Sequence, residues 1–91
     1  MTEEERAEAA VKLSELSRHW QEYHRQDRLM HTLPDEKSRF VAYHAMQAAG
    51  QRYFEVSAWF VRRCIPLAYH TESKEYVALT DPPVYPARGI Q

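Results

Sequence analysis

The sequence predicts a mainly helical fold: a long antiparallel αα-hairpin, a small C-terminal β-hairpin or irregular cap, and an extended proline-rich tail. Three observations predict it. A long glycine- and proline-free run opens the chain, with apolar residues at helical spacing. A short breaker around Pro34 separates it from a second such run, which stops before Pro66. After that the helical period disappears, and three prolines crowd residues 82–86.

The first helix is expected over residues 3–30. Thr2 followed by Glu5 is a capping-box pattern, and Glu3, Glu4 and Glu5 sit where the helix dipole favours negative charge. Ala9, Leu13, Leu16, Trp20, Tyr23, Asp27 and Met30 then recur in steps of four and three, a heptad seam. "HTLPDEK" interrupts it, with Thr32 as a candidate cap and Pro34 in the first turn of the next helix. The second helix is expected over 34–64, because the residue before a proline disfavours helical geometry. So short a connection makes the pair antiparallel. Residues 66–80 alternate weakly around a polar centre at 71–74 and suggest two short strands, with one helical stretch at 72–79 as the alternative. Residues 81–91 suggest an extended tail.

Ninety-one residues are expected to form one domain, 1–91, with a modest core that gains from a partner or from self-association. The formal net charge of −1 argues against a polyanion mimic and against attachment to nucleic acid by bulk charge alone. The lone Cys64 allows no internal disulfide and suits a reduced intracellular thiol. "MTEEER" lacks the apolar core of a signal peptide, and no apolar run reaches the ~20 residues of a membrane span. A soluble, cytoplasmic protein without a membrane partner is the expectation.

The second helix carries more apolar surface than one neighbour can cover. One face holds Phe40, Tyr43, Met46, Gly50, Tyr53, Phe54, Ser57, Phe60, Val61 and Cys64, and is assigned to the first helix. A second stripe holds Val41, Ala45, Ala48, Ala49, Val56 and Trp59, bordered by Arg52 and Arg63. Its cover is either the C-terminal segment folding back, a second copy completing a four-helix bundle, or a different protein. A lid over one end can leave the other open.

No catalytic or cofactor motif is present. The chain has two glycines, so it offers no phosphate loop, and there is no G-x-S-x-G. The expected function is therefore non-enzymatic protein binding: a small adaptor or inhibitor docking on a larger assembly, with phage and mobile-element proteins that block host defence as the sharpest example. The expected contact residues are Trp59, Arg62, Arg63, Arg52 and Val56, joined by Tyr85 and Arg88 of the tail, since Trp and Arg are enriched at binding hot spots. The alternative is a dimeric helical nucleic-acid binder using Arg18, Arg25, Arg28 and Arg39. Trp20 and Tyr23 are expected to point inward, leaving those arginines without stacking aromatics, and Glu15 and Glu22 lie within pairing reach of Arg18 and Arg25. A third option is a divalent metal held by His24, Asp27, His31 and His44 near the hairpin turn, although no Glu-x-x-His motif supports it. No cofactor is expected.

Overall fold

The structure is a computed structural model, and it describes residues 1–88. Helix α1 spans Glu3–Thr32 and α2 spans Glu36–Arg62; strands β1, Leu67–His70, and β2, Glu75–Ala78, follow. The helices form a hairpin, and the strands pair antiparallel with Leu67 opposite Ala78 and His70 opposite Glu75. The long axis of the molecule, 49 Å, is close to the ~45 Å that thirty helical residues span, so the β-hairpin lies beside the helices rather than extending them.

The start of α1 is the capping box: the Glu5 N–H donates to the Thr2 hydroxyl at 3.0 Å, and the Thr2 N–H donates to the Glu5 carboxylate at 3.1 Å. Thr32 is the last residue of α1 rather than the cap of α2, and its hydroxyl turns back to the Arg28 carbonyl. Asp35 caps α2 instead, accepting the Ser38 N–H at 2.9 Å, so α2 begins two residues later than the proline suggests.

Helix α2 also ends earlier than expected. Cys64 adopts φ 54°, the left-handed conformation usually reserved for glycine. The Cys64 N–H reaches the Val61 carbonyl and the Ile65 N–H reaches the Phe60 carbonyl, each at 3.0 Å, which is the Schellman pattern. Ile65 then packs against the core beside Phe60. Cys64 itself is exposed rather than on the packing face.

The core sits at the open end of the hairpin. Ala9, Leu13 and Leu16 of α1, Trp59 and Phe60 of α2, Ala78 of β2 and Val84 of the tail form one buried cluster. Val84 exchanges backbone hydrogen bonds with Ala78, and the Ala87 N–H donates to the Ala10 carbonyl at 2.9 Å. The tail therefore straps the start of α1 to the β-hairpin; its last three residues, 89–91, lie outside the described residues. One buried polar side chain joins the layers. Ser17 donates to the Leu13 carbonyl at 2.9 Å and accepts the Tyr76 N–H at 2.9 Å, so the hydroxyl is used in both directions.

The orientation of α2 differs from the sequence expectation. Its fully buried residues are Ala42, Ala49, Trp59 and Phe60, while Phe40, Phe54 and Val61 are 61%, 70% and 72% exposed. Gly50, Tyr53 and Phe60 of the expected face do turn inward, but the buried line is shifted from Phe40, Phe54 and Val61 toward Ala42 and Ala49. The physical reason is closeness of approach. Alanines on the buried line let the helix axes come near each other, and the larger aromatics on the neighbouring line stay outside. Gly50 fits the same picture: a Cβ there would meet the Tyr23 ring at 3.3 Å.

Candidate functional site

Trp59 lies inside the protein at 6% exposure, against Phe60 and within the cluster that includes Ala78 and Val84. It is therefore not a free surface anchor. Its Nε1 has no hydrogen-bond partner among the described residues, and the Arg63 guanidinium lies 4.0 Å from its ring centroid. Val56 is half-buried against the same cluster. Of the other expected contact residues, Arg52 and Arg62 are exposed on α2 and Tyr85 is 60% exposed on the tail. Arg88 is bonded to the Glu75 carboxylate of β2. The expected group is thus divided between a core tryptophan, a surface of α2 and a clamp on the β-hairpin.

The uncovered apolar surface lies elsewhere on α2. Phe40, Phe54 and Val61 fall on seven-residue steps, with Gln47 at the remaining step. Gln47 donates to the Tyr43 hydroxyl at 2.7 Å, and His44 packs edge-on to Phe40 at 4.4 Å. These contacts hold the polar members of the line along the helix surface. On the second stripe the C-terminal segment covers the Trp59 end, whereas Val41 at the other end is 64% exposed. Beside Val41, a shallow groove is lined by Leu29, Leu33 and Ala42. Together Phe40, Phe54 and Val61 leave on the order of 300 Å² of apolar surface in water on one line. Of the exposed charges, Glu36, Lys37, Glu55 and Arg62 lie nearest this line, whereas Arg52 and Arg63 border the Val56–Trp59 side.

The four arginines of the nucleic-acid alternative do not form one stripe. Arg39 donates to the Leu33 and Pro34 carbonyls at 2.9 and 2.8 Å and so clamps the interhelical turn. Arg25 pairs with Glu22 at 2.8 Å, and this bond, with a second from Gln26, lowers the Glu22 carboxyl from 4.5 to about 2. Arg18 is exposed, and its charge, after burial, helps hold the His19 imidazole below its ordinary range; Arg52 acts the same way from α2.

Arg28 has no carboxylate partner among the described residues and borders a cleft of about 350 Å³ between α1 and the β-hairpin. Trp20 lines the same cleft, so this aromatic is beside the arginines rather than shut away from them. Tyr69 and Lys74, which line the other side, come from the β-hairpin, and no local spacing in the sequence links them to Arg28.

The metal candidates do not converge. His24 packs edge-on to Trp20 at 4.4 Å, and His44 packs on Phe40. His31 Nδ1 lies 2.8 Å from the Asp27 carbonyl oxygen and 3.5 Å from its carboxylate. Among the described residues no group of three or more His, Cys, Asp or Glu side chains is placed to hold an ion. No helix of the described residues is long and apolar enough to cross a membrane.

The chain matches no protein-family model, no curated protein and no solved structure.

Proposed function

We propose that this protein is a non-catalytic protein-binding module and that the outer face of α2 is its contact surface. The observation that carries the proposal is the 61–72% exposure of Phe40, Phe54 and Val61 on a helix whose opposite side is closely packed. At about 25 cal/mol per Å², covering on the order of 300 Å² would contribute up to roughly 8 kcal/mol, comparable with the whole stability of a small domain.

The seven-residue spacing suits a helix as partner, because such a line meets a second helix along a continuous seam. An amphipathic helix presented by another protein is the occupant that fits this spacing. A small adaptor or inhibitor docking on a larger assembly is the form of this class that the size of the chain suits.

The test compares wild type with Phe54→Asp and Phe40→Asp, variants at exposed positions. Circular dichroism first establishes equal folding. Pull-down, followed by binding to the isolated partner, should then show at least tenfold weaker binding for both variants. Sedimentation of the wild type at micromolar concentration should report a monomer. Equal retention of the same partners by wild type and both variants would refute the assignment of this face.

A further inference from the structure

The cleft between α1 and the turn of the β-hairpin combines three features that no other part of the described surface brings together. The first is an aromatic wall fixed in place. The Trp20 ring is held by His24 at 4.4 Å, Tyr53 at 5.2 Å, Tyr76 at 6.0 Å and Tyr69 at 6.1 Å between centroids. Tyr76 and Tyr53 are in turn joined through their hydroxyls at 2.9 Å.

The second is surplus positive charge at the rim. Arg28 and Lys74 both line the cleft, and neither has a carboxylate partner among the described residues. Of the nearby acids, Glu22 is engaged by Arg25 and Glu75 by Arg88, and Glu72, in the same turn as Lys74, lines a neighbouring depression rather than this cleft. A chain of net charge −1 thus keeps a local pair of unneutralised cations here. The third is rigidity between the walls. Gln21 of α1 donates its side-chain amide to the Lys74 carbonyl at 2.9 Å, which ties the turn to the helix and fixes the span of the opening.

We propose that this cleft is a nucleotide site, taking an aromatic base against Trp20 and Tyr69 and a phosphate between Arg28 and Lys74. Base–aromatic stacking tolerates any base, and a phosphate between two cations is the recurrent electrostatic partner of such a platform. At about 350 Å³ the cleft lies at the small end of ligand sites and suits one nucleotide unit. That unit has two sources, a free mononucleotide or one residue of a single strand. Double-stranded nucleic acid is disfavoured, since its bases are stacked away from the wall.

Tryptophan emission of the full chain provides the readout, because Trp59 is 6% exposed and quenching by a small ligand reports on Trp20. The probes are AMP, adenosine, and single-stranded A6 RNA with and without a 5′-phosphate, at 50 and 200 mM salt. The comparison variant is Arg28→Glu/Lys74→Glu, on exposed positions, with its fold checked by circular dichroism. AMP should quench, adenosine should bind at least tenfold more weakly, and the double variant should lose tenfold or more with AMP. Equal affinity for AMP and 5′-phosphorylated A6 assigns the free nucleotide; tighter binding of A6 with a steeper salt dependence assigns the single strand. The proposal is overturned if millimolar AMP and A6 leave the emission unchanged, if adenosine binds as well as AMP, or if the folded double variant binds like wild type. Selective binding of a phosphotyrosine peptide over every nucleotide probe overturns it as well. None of these outcomes bears on the outer face of α2, which the Phe54 and Phe40 variants test separately.

Discussion

The two ends of the helical hairpin start from similar side chains and finish in opposite states. At the open end Phe60 is fully buried, with Leu13 and Leu16 behind it and Ala78 and Val84 closing over it. Towards the turn, Phe40 and Val41 occupy the same helix, yet they are 61% and 64% exposed because no third layer reaches them. The difference is coverage rather than composition. Two helices in contact bury only one stripe each, and the β-hairpin with its strap supplies the third layer to one end alone. Stability and binding are in this way assigned to different parts of α2.

The largest expected effect sets the two ends directly against each other. Phe60→Ala should cost about 3–5 kcal/mol in urea unfolding, the usual range for a buried Phe. Phe40→Ala, at 61% exposure near the turn, should stay within about 0.5 kcal/mol. Equal losses at the two sites would abolish the distinction between a packed end and a bare one.

Next in size is the polar node between α1 and β2. Ser17→Ala leaves the Tyr76 N–H without its acceptor and should cost about 1–3 kcal/mol. Hydrogen exchange should accelerate at Tyr76 more than at amides near the interhelical turn. Uniform acceleration would mean that the node does not belong to the capped end in particular.

A gain of about 1 kcal/mol is expected from Cys64→Gly, because glycine adopts the left-handed conformation at the end of α2 without steric cost. Thermal melts should move upward while the helical signal stays constant.

The smallest effect is pH-dependent. Burial, followed by the charges of Arg18 and Arg52, lowers the His19 pKa from its ordinary 6.5. The unfolded chain takes up this proton first as the solution is acidified, so stability is full above about pH 6.5 and declines below it. His19→Gln should flatten that segment of the pH–stability curve. An unchanged slope in the variant would assign the dependence to another group.

Much of this architecture is legible in the sequence, and the illegible parts have identifiable causes. The heptad seam of α1 names Ala9, Leu13 and Leu16, all of which are buried, since one apolar stripe on one helix has one solution. Thr2 with Glu5, and the polar turn at residues 71–74, are local patterns and form where their chemistry places them. The orientation of α2 is not local. Both of its stripes are apolar, and residue size favours the aromatic line as the buried one, whereas close approach of the helices rewards the alanines. The end of α2 escapes detection because a cysteine occupies the position where glycine normally marks the stop. At the cleft, the Arg25–Glu22 pair follows from helical spacing. The meeting of Arg28 with Lys74 and Tyr69 follows only from the way the β-hairpin lies across α1.

The strap has a consequence for the order in which the molecule is assembled. The Arg6–Pro83 hydrogen bond joins residues 77 positions apart, and the Ala10–Ala87 bond has the same separation. Val84 leaves the ribosome after both helices, so Trp59 waits without one of its final neighbours until it follows. Completion of the packed end is therefore timed by the tail, and shortening the tail is expected to expose the tryptophan while leaving the helices themselves in place.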